Sequence, residues 1–202
     1  MRMLDAEVYR DALVGLGLHK IAHQDETLID HMFRVCSILQ HMKAAEHVRV
    51  AGLFHGVYGT EGLHNDDVES IPDSKRVEVR AVVGPEIEQM VFNFSVMSYA
   101  SLGKSFRRVM RPNGLPELKD RRTGEDIPLD REQFLDLLRM KLGDVLAHLP
   151  PQVGHTVLDV PTEYAGFWRT AAEWLGPDEI TTWNEFTEVT GGELWIDPEQ
   201  NR

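Results

Sequence analysis

The chain has very little cysteine and no long apolar segment. Cys36 is the single cysteine among 202 residues, which excludes an internal disulfide and is typical of a protein from a reducing compartment. No stretch approaches the roughly 18 apolar residues that a membrane-spanning helix needs. Acids and arginines lie within the first ten positions, unlike the pattern of a secretory leader. We therefore expect a cytoplasmic protein without a membrane segment.

Basic residues are also scarce relative to acidic ones. The chain carries 21 Lys and Arg against 33 Asp and Glu, a net charge of −12. This charge repels nucleic acids and anionic membranes, so we expect neither as a partner. A bound cation can invert the local field, so a small-molecule substrate can still be anionic. A homodimer is one alternative that the sequence allows, because the aromatic residues of FWRTAAEW recur at helical spacing. This spacing is typical of a core or of a dimer interface.

Apolar residues repeat mainly at the spacing of an α-helix. The stretch before Lys43 carries apolar residues at alternating intervals of four and three, and a broader apolar stripe follows Asp130. Two short segments on either side of Thr123 and Gly124 predict a small β-hairpin near 116–129. We predict a mainly α fold in a single domain. Its bounds are 1–202, with the core at 26–149 and a helical or irregular C-terminal extension at 150–202.

Three polar residues share the predicted inner faces of separate helices. His31 lies three positions after Leu28, and His55 lies four after Ala51, so both histidines follow the apolar stripes of their helices. Asp144 stands at the edge of the stripe on a later helix. A buried carboxylate needs a partner, because its burial without one is costly.

These residues allow two interpretations. Two imidazoles and a carboxylate from different helices can converge on one divalent cation such as Mn, Fe, Co or Zn. Alternatively, His31 and His55 are core histidines that hydrogen-bond to the backbone. In that case Asp144 forms an ion pair with Lys141 or His148.

Four segments in the same order resemble a known family. HD domains carry a histidine on one helix, a His-Asp pair on the next, and a distal aspartate on a later helix. The closest resemblance is to the hydrolase domain of the bacterial alarmone (guanosine tetraphosphate) synthetase–hydrolases, over residues 27–149. The segments are, in chain order, TLIDHMFRVCSIL, VAGLFHGVYGTEG, VVGPEIEQMVFNF and LLRMKLGDVLAHL.

The resemblance implies an HD-domain-like helical bundle with metal ligands at His31, His55 and Asp144. One departure is that Gly56 stands where the family has the aspartate of its His-Asp pair, as in a degenerate, uncharacterised branch of the superfamily. The acidic pair that the alarmone hydrolases use for the attacking water is also missing. Glu61 lies close to that place and can serve as a replacement ligand or a general base, or it is an exposed loop acid.

The first hypothesis is a metal-dependent HD-type hydrolase, acting on a phosphoester small molecule with one divalent ion (Mn, Fe or Zn). Glu61 is its candidate catalytic residue, and His23, Tyr58 and Lys141 are candidate substrate-binding residues. His23 can instead be a surface histidine, and Tyr58 can simply pack with its hydroxyl in water. A mononuclear non-haem iron oxygenase is an alternative, because two histidines and one carboxylate are its ligand types. A degenerate HD domain that binds a ligand or partner without catalysis is another.

Overall fold

The computed structural model describes residues 6–23, 26–61, 71–148 and 162–187, and in this part of the chain it is mainly helical, which confirms the predicted fold class. None of the described helices is long and apolar enough to span a membrane. Two-residue strands β1 (Ala22–His23) and β2 (Glu26–Thr27) pair antiparallel. The helices are α1 Ala6–Gly15, α2 Leu28–His41, α3 Glu46–Phe54, α4 Arg76–Val83, α5 Pro85–Val96, α6 Tyr99–Val109, α7 Arg131–Ala147, α8 Thr162–Leu175 and α9 Pro177–Thr187, with 3₁₀ turns at Leu18–Lys20 and Asp73–Lys75.

Side-chain caps define where the two central helices begin. The Thr27 hydroxyl accepts a hydrogen bond from the Asp30 backbone N–H and starts α2. Asp130 and Gln133 form a reciprocal capping box at the start of α7. These caps satisfy backbone N–H groups that have no partner within the helix. They fix the residue at which each helix begins, and therefore which of its residues lie on the inward face.

Helix α2 packs against both α3 and α7, and two glycines allow the close approach. A Cβ at Gly52 on α3 would overlap Cδ1 of Leu39 on α2. A Cβ at Gly143 on α7 would lie 3.1 Å from Cγ of the same leucine. Both glycines stand close in sequence to His55 and Asp144. The small residues therefore bring those two side chains near α2.

Replacing Gly52 by alanine is expected to destabilise the fold by about 1–3 kcal/mol, because the added Cβ displaces the Leu39 side chain from its buried, packed position. Urea unfolding measures the loss. Gly103→Ala on α6 is the matched control, since its Cβ would meet only Phe167, at an ordinary contact distance of 3.9 Å. Equal stability of the two variants would contradict the role assigned to Gly52.

The segment 116–129 reverses direction without forming a strand. The Asp120 N–H donates to the Glu125 carbonyl and the Ile127 N–H donates to the Leu118 carbonyl, and the pairing here is limited to isolated bridges. Prolines flank the bridged residues at 116 and 128, and a proline donates no backbone hydrogen bond with which to extend a ladder. The predicted hairpin is thus a turn with isolated bridges.

The C-terminal helices α8 and α9 pack on each other, and both contact α7. Residues 149–161 and 188–202 lie outside the described residues. The organisation as one domain over 1–202 with an extension from 150 stays a prediction.

Candidate metal centre

Two imidazoles and one carboxylate converge in the core between α2, α3 and α7. His31 lies on α2, His55 directly follows α3, and Asp144 lies on α7; their exposed fractions are 2, 3 and 4%. Nε2 of His31 lies 3.1 Å from Asp144 Oδ1, and Nε2 of His55 lies 3.3 Å from the same oxygen. One ligand atom from each residue lies within 4.8 Å of the other two, so the group can hold a metal ion.

The orientation of the His55 ring leaves its Nε2 facing the carboxylate. Its Nδ1 lies 2.7 Å from the Gly52 carbonyl oxygen, which only accepts hydrogen bonds, so Nδ1 carries a proton and donates it. In the neutral ring, Nε2 then presents a lone pair to Asp144 Oδ1. Two electron-rich atoms at that distance attract each other only when a proton or a metal ion lies between them. A backbone-anchored imidazole is the arrangement typical of metal-ligating histidines.

The two oxygens of Asp144 have different partners. Oδ1 faces the histidines, and Oδ2 accepts a hydrogen bond of 2.6 Å from the Lys141 ammonium. Burial raises the pKa of this carboxyl, but the Lys141 charge and the hydrogen bond from His31 outweigh burial and hold the pKa well below its usual range. Asp144 is therefore an anion at neutral pH. The ion pair with Lys141 considered from the sequence is confirmed.

Burial lowers the pKa of His31 from 6.5 to about 4, despite the hydrogen bond to Asp144 that acts in the opposite direction. His31 is therefore neutral at pH 7. Neutral imidazole is the form that coordinates metals.

In the metal-free protein, the free energy of unfolding is expected to fall as the pH is lowered from 6.5 to about 4. The folded pKa of His31 lies below the unfolded value, so the unfolded state binds more protons in this window and acid favours it, by on the order of 3 kcal/mol. Urea unfolding in a chelator at several pH values measures the slope. The slope is expected to shrink in His31→Asn and to persist in His41→Asn, whose exposed ring lies on the same helix. An unchanged slope in His31→Asn would contradict the assignment.

Removing the Lys141 charge tests how Asp144 is kept ionised. Lys141→Met is expected to cost about 3–5 kcal/mol of stability in a chelator, because it leaves a buried carboxylate without its cation. Lys104→Met on the exposed side of α6 is the control. Added divalent metal is expected to recover part of the loss, since it compensates the same charge. A loss below about 1 kcal/mol would contradict the ion pair's role.

His148 is a site residue that the sequence analysis considered only as an ion-pair partner. It directly follows α7, and its Nδ1 donates a hydrogen bond of 2.7 Å to the backbone carbonyl oxygen of Asp144. The centroid of its ring lies 4.5 Å from the centroid of the His31 ring. The available signal is its spacing, four residues after Asp144, which places both on one side of the helix.

Glu61 binds the start of a helix. Its carboxylate accepts a 2.5 Å hydrogen bond from the backbone N–H of Tyr99, the first residue of α6. The Tyr99 hydroxyl in turn accepts from Lys141, 2.8 Å away. Glu61 and Lys141 thus contact opposite ends of Tyr99, the backbone amide and the hydroxyl, and the described contacts place Glu61 outside the group of three ligands.

Tyr58 belongs to a separate buried network. Its hydroxyl donates to Glu88, which is fully buried and also accepts hydrogen bonds from Arg76 and Arg80. Burial and the Glu88 carboxylate raise the pKa of Tyr58, so its hydroxyl stays protonated. The structure thus brings Tyr58 to Glu88 on α5, and none of its described hydrogen bonds joins it to the ligands.

For His23, the last of the predicted site residues, the structure describes only the backbone. This residue pairs with Glu26 in the two-stranded β1–β2 ladder, and its side chain lies outside the described part of the structure.

Gly56, which stands where the resemblance expects an aspartate, packs directly on α2. A Cβ there would lie 3.2 Å from Leu28 Cδ1 and 3.3 Å from Met32 Sδ. A larger residue would require these side chains to move. The space at this position is therefore tight for any side chain.

A family model described as a domain of unknown function (DUF6817) matches residues 12–98. No curated protein matches the chain, and no solved structure matches it. The matched region covers less than half of the chain and includes His31 and His55 but ends before Asp144. The chain is thus similar to this family over the helices that carry two of the three candidate ligands.

Proposed function

We propose that this protein is a metal-dependent hydrolase of the HD type that cleaves a phosphoester in a small molecule, with His31, His55 and Asp144 as the metal ligands. The observation that carries the proposal is the convergence of two imidazole nitrogens on one carboxylate oxygen in the core. A divalent ion held there supplies Lewis acidity and lowers the pKa of a water molecule, which is the chemistry that phosphoester hydrolysis needs.

The surrounding residues prepare the ligands for this task. The low pKa of His31 keeps its ring neutral, and the Gly52 carbonyl orients the ring of His55. Lys141 holds Oδ2 of Asp144, which leaves Oδ1 directed at the histidines. Such outer contacts typically account for 10–100-fold in metal affinity or activity. The donor types suit Mn, Fe or Zn.

The resemblance to alarmone hydrolases supports the choice of a phosphoester. Its four segments contain all three ligands in the family's order, over residues 27–149. Gly56 removes one anionic ligand relative to that family, so Glu61 is the candidate proton acceptor for the attacking water. Its described hydrogen bond goes to the backbone N–H of Tyr99, whose hydroxyl contacts Lys141.

Two other functions are each favoured by one observation. The ligand set of two histidines and one carboxylate is that of mononuclear iron oxygenases. A binding domain without catalysis is favoured by the ion pair between Lys141 and Asp144, because this pair satisfies the carboxylate without any metal.

Hydrolysis assays on metal-reconstituted protein separate these functions. The chelated protein is loaded with Mn, Fe or Zn without oxygen and is given a panel of phosphate monoesters. We expect phosphate release that a chelator stops. Turnover that requires both iron and oxygen would favour the oxygenase. Full stability in a chelator, with no metal bound after loading, would favour the binding domain.

A further inference from the structure

A cavity of about 630 Å³ lies between α5 and α7, and residues of α3 and α4 also line it. Small-molecule sites in proteins typically have volumes of about 300–1,000 Å³. The cavity opens to solvent, so a ligand can enter from outside. None of the three candidate metal ligands lines it. The cavity is therefore a site separate from the metal centre.

One wall carries a buried amide whose orientation is fixed by a chain of hydrogen bonds. The guanidinium of Arg76 can only donate, so the Gln89 atom that lies 3.1 Å from its Nη2 is the oxygen Oε1. The Gln89 Nε2 then donates to Asn93 Oδ1 at 2.8 Å. This leaves Asn93 Nδ2 as a donor that makes none of the described hydrogen bonds. Asn93 is 8% exposed and lines the cavity, so the cavity contains a pre-oriented N–H donor.

The wall on α7 carries a second amide of the same kind. Gln133 Oε1 accepts a hydrogen bond from the Asp130 backbone N–H in the capping box at the start of α7. Its Nε2 is left over and makes none of the described hydrogen bonds. Arg80 adds further donors, because its Nε donates to Glu88 at 2.7 Å while its terminal nitrogens make none of the described hydrogen bonds. Three helices thus contribute unused N–H donors to one cavity.

The carboxylates of the lining offset these donors only in part. Both oxygens of Asp136 already accept hydrogen bonds, Oδ2 from His47 at 2.9 Å and Oδ1 from Arg139 at 3.2 Å. Glu86 has no described partner, but it is exposed in the first turn of α5. The unused capacity of the lining side chains consists mainly of N–H donors. Such donors match an anion, whose oxygens only accept hydrogen bonds.

Aliphatic side chains make up much of the remaining lining. They are Pro85, Ile87, Met90, Leu129 and Leu137. Covering apolar surface is favourable, and an inorganic anion would cover none of it. The lining therefore matches an anion that carries a hydrocarbon part.

We propose that this cavity binds a small organic acid, whose carboxylate accepts a hydrogen bond from Asn93 Nδ2 and whose hydrocarbon part covers the aliphatic lining. Gln133 supplies a second amide donor to the same cavity, and Arg80 supplies positive charge. The inference goes beyond the proposed function, because it assigns a second binding site that needs no metal.

Hexanoate and 1-hexanol are suitable probes, because they share a hydrocarbon chain and only hexanoate is an anion. Each is titrated calorimetrically into the full-length protein, with and without a chelator. We expect hexanoate to bind at least about 10-fold more tightly than hexanol, the gain that corresponds to one charge-assisted hydrogen bond. Acetate lacks the chain and is expected to bind at least about 10-fold more weakly than hexanoate. The chelator should change none of these affinities.

Asn93→Asp tests the amide donor itself. Aspartate keeps an oxygen for the Gln89 amide and replaces Nδ2 by a second carboxylate oxygen. We expect hexanoate affinity to fall by at least about 10-fold and hexanol affinity to stay unchanged. Gln133→Glu makes the same exchange on the other wall and retains the capping box, so it covers the case in which Asn93→Asp does not fold. Gln40→Glu is the control, because it adds the same charge on the exposed side of α2, outside the cavity lining.

A preference for hexanoate that the cavity variants remove and Gln40→Glu retains would support the proposal. Equal affinity for hexanoate and hexanol, no binding of either, or hexanoate affinity that survives both cavity variants would overturn it. Hexanoate binding that a chelator abolishes would also overturn it, because the probe would then bind a metal ion. None of these outcomes depends on hydrolysis, so failure of the proposed function would leave this test intact.

Discussion

Replacing His55 by alanine is expected to abolish metal binding and, with it, the proposed hydrolase activity. The imidazole is one of only three donors in the described cluster, and its ring is pre-oriented by the Gly52 carbonyl. Outer contacts of a metal site account for about 10–100-fold in affinity, so loss of a ligand itself should exceed about 100-fold. Plasma mass spectrometry of the purified protein and of the variant measures the metal content.

His47→Ala is the matched control, because His47 lies on the same helix but at the surface, paired with Asp136. We expect this variant to keep its metal and its activity. Near-stoichiometric metal in wild type that disappears only in His55→Ala would identify His55 as a ligand. Equal metal content in His55→Ala and wild type would contradict the proposed site, and no metal in wild type after loading with Mn, Fe and Zn would favour a hydrogen-bonded core network.

Replacing Glu61 by glutamine is expected to lower kcat by about 10²–10⁴-fold with metal content and stability unchanged, because glutamine cannot take a proton from water. The structure gives this residue a competing role, since its carboxylate caps α6 through the Tyr99 N–H. Glutamine retains a carbonyl oxygen that can accept this hydrogen bond. The substitution therefore removes the base and largely keeps the cap.

Glu61→Ala separates the two roles further. It removes the cap as well, so we expect the same loss of kcat together with a loss of stability of about 1 kcal/mol, the usual cost of deleting a cap. Steady-state kinetics and urea unfolding of both variants give the comparison. Full turnover by Glu61→Gln would show that the residue only caps the helix and that another group accepts the proton.

The helical fold and the three inward polar residues could be predicted because both depend on local periodicity. His31 and His55 follow their apolar stripes at intervals of three and four, and the structure buries both. The need of Asp144 for a partner also followed from the cost of burying a charge. Lys141, three residues earlier, supplies that partner.

The roles of Tyr58, Glu61 and the segment 116–129 could not be predicted in this way. Tyr58 donates to Glu88, 30 residues away, and Glu61 accepts from Tyr99, 38 residues away. Periodicity predicts which residues lie on the same face of a helix. It does not predict which distant element packs against that face. The extent of the pairing in 116–129 depended on flanking prolines, which leave only isolated bridges.

The sequence by itself determined the helical class, the acidic charge and the inward positions of the candidate ligands, since each depends on composition or short-range spacing. Only the tertiary structure decided that these ligands meet, because His31 and Asp144 are 113 residues apart and reach 3.1 Å where Gly52 and Gly143 let two helices approach Leu39. It also decided the orientation of His55 and the place of Lys141 between Asp144 and Tyr99. Each of these depends on the distance between elements, which is set by packing.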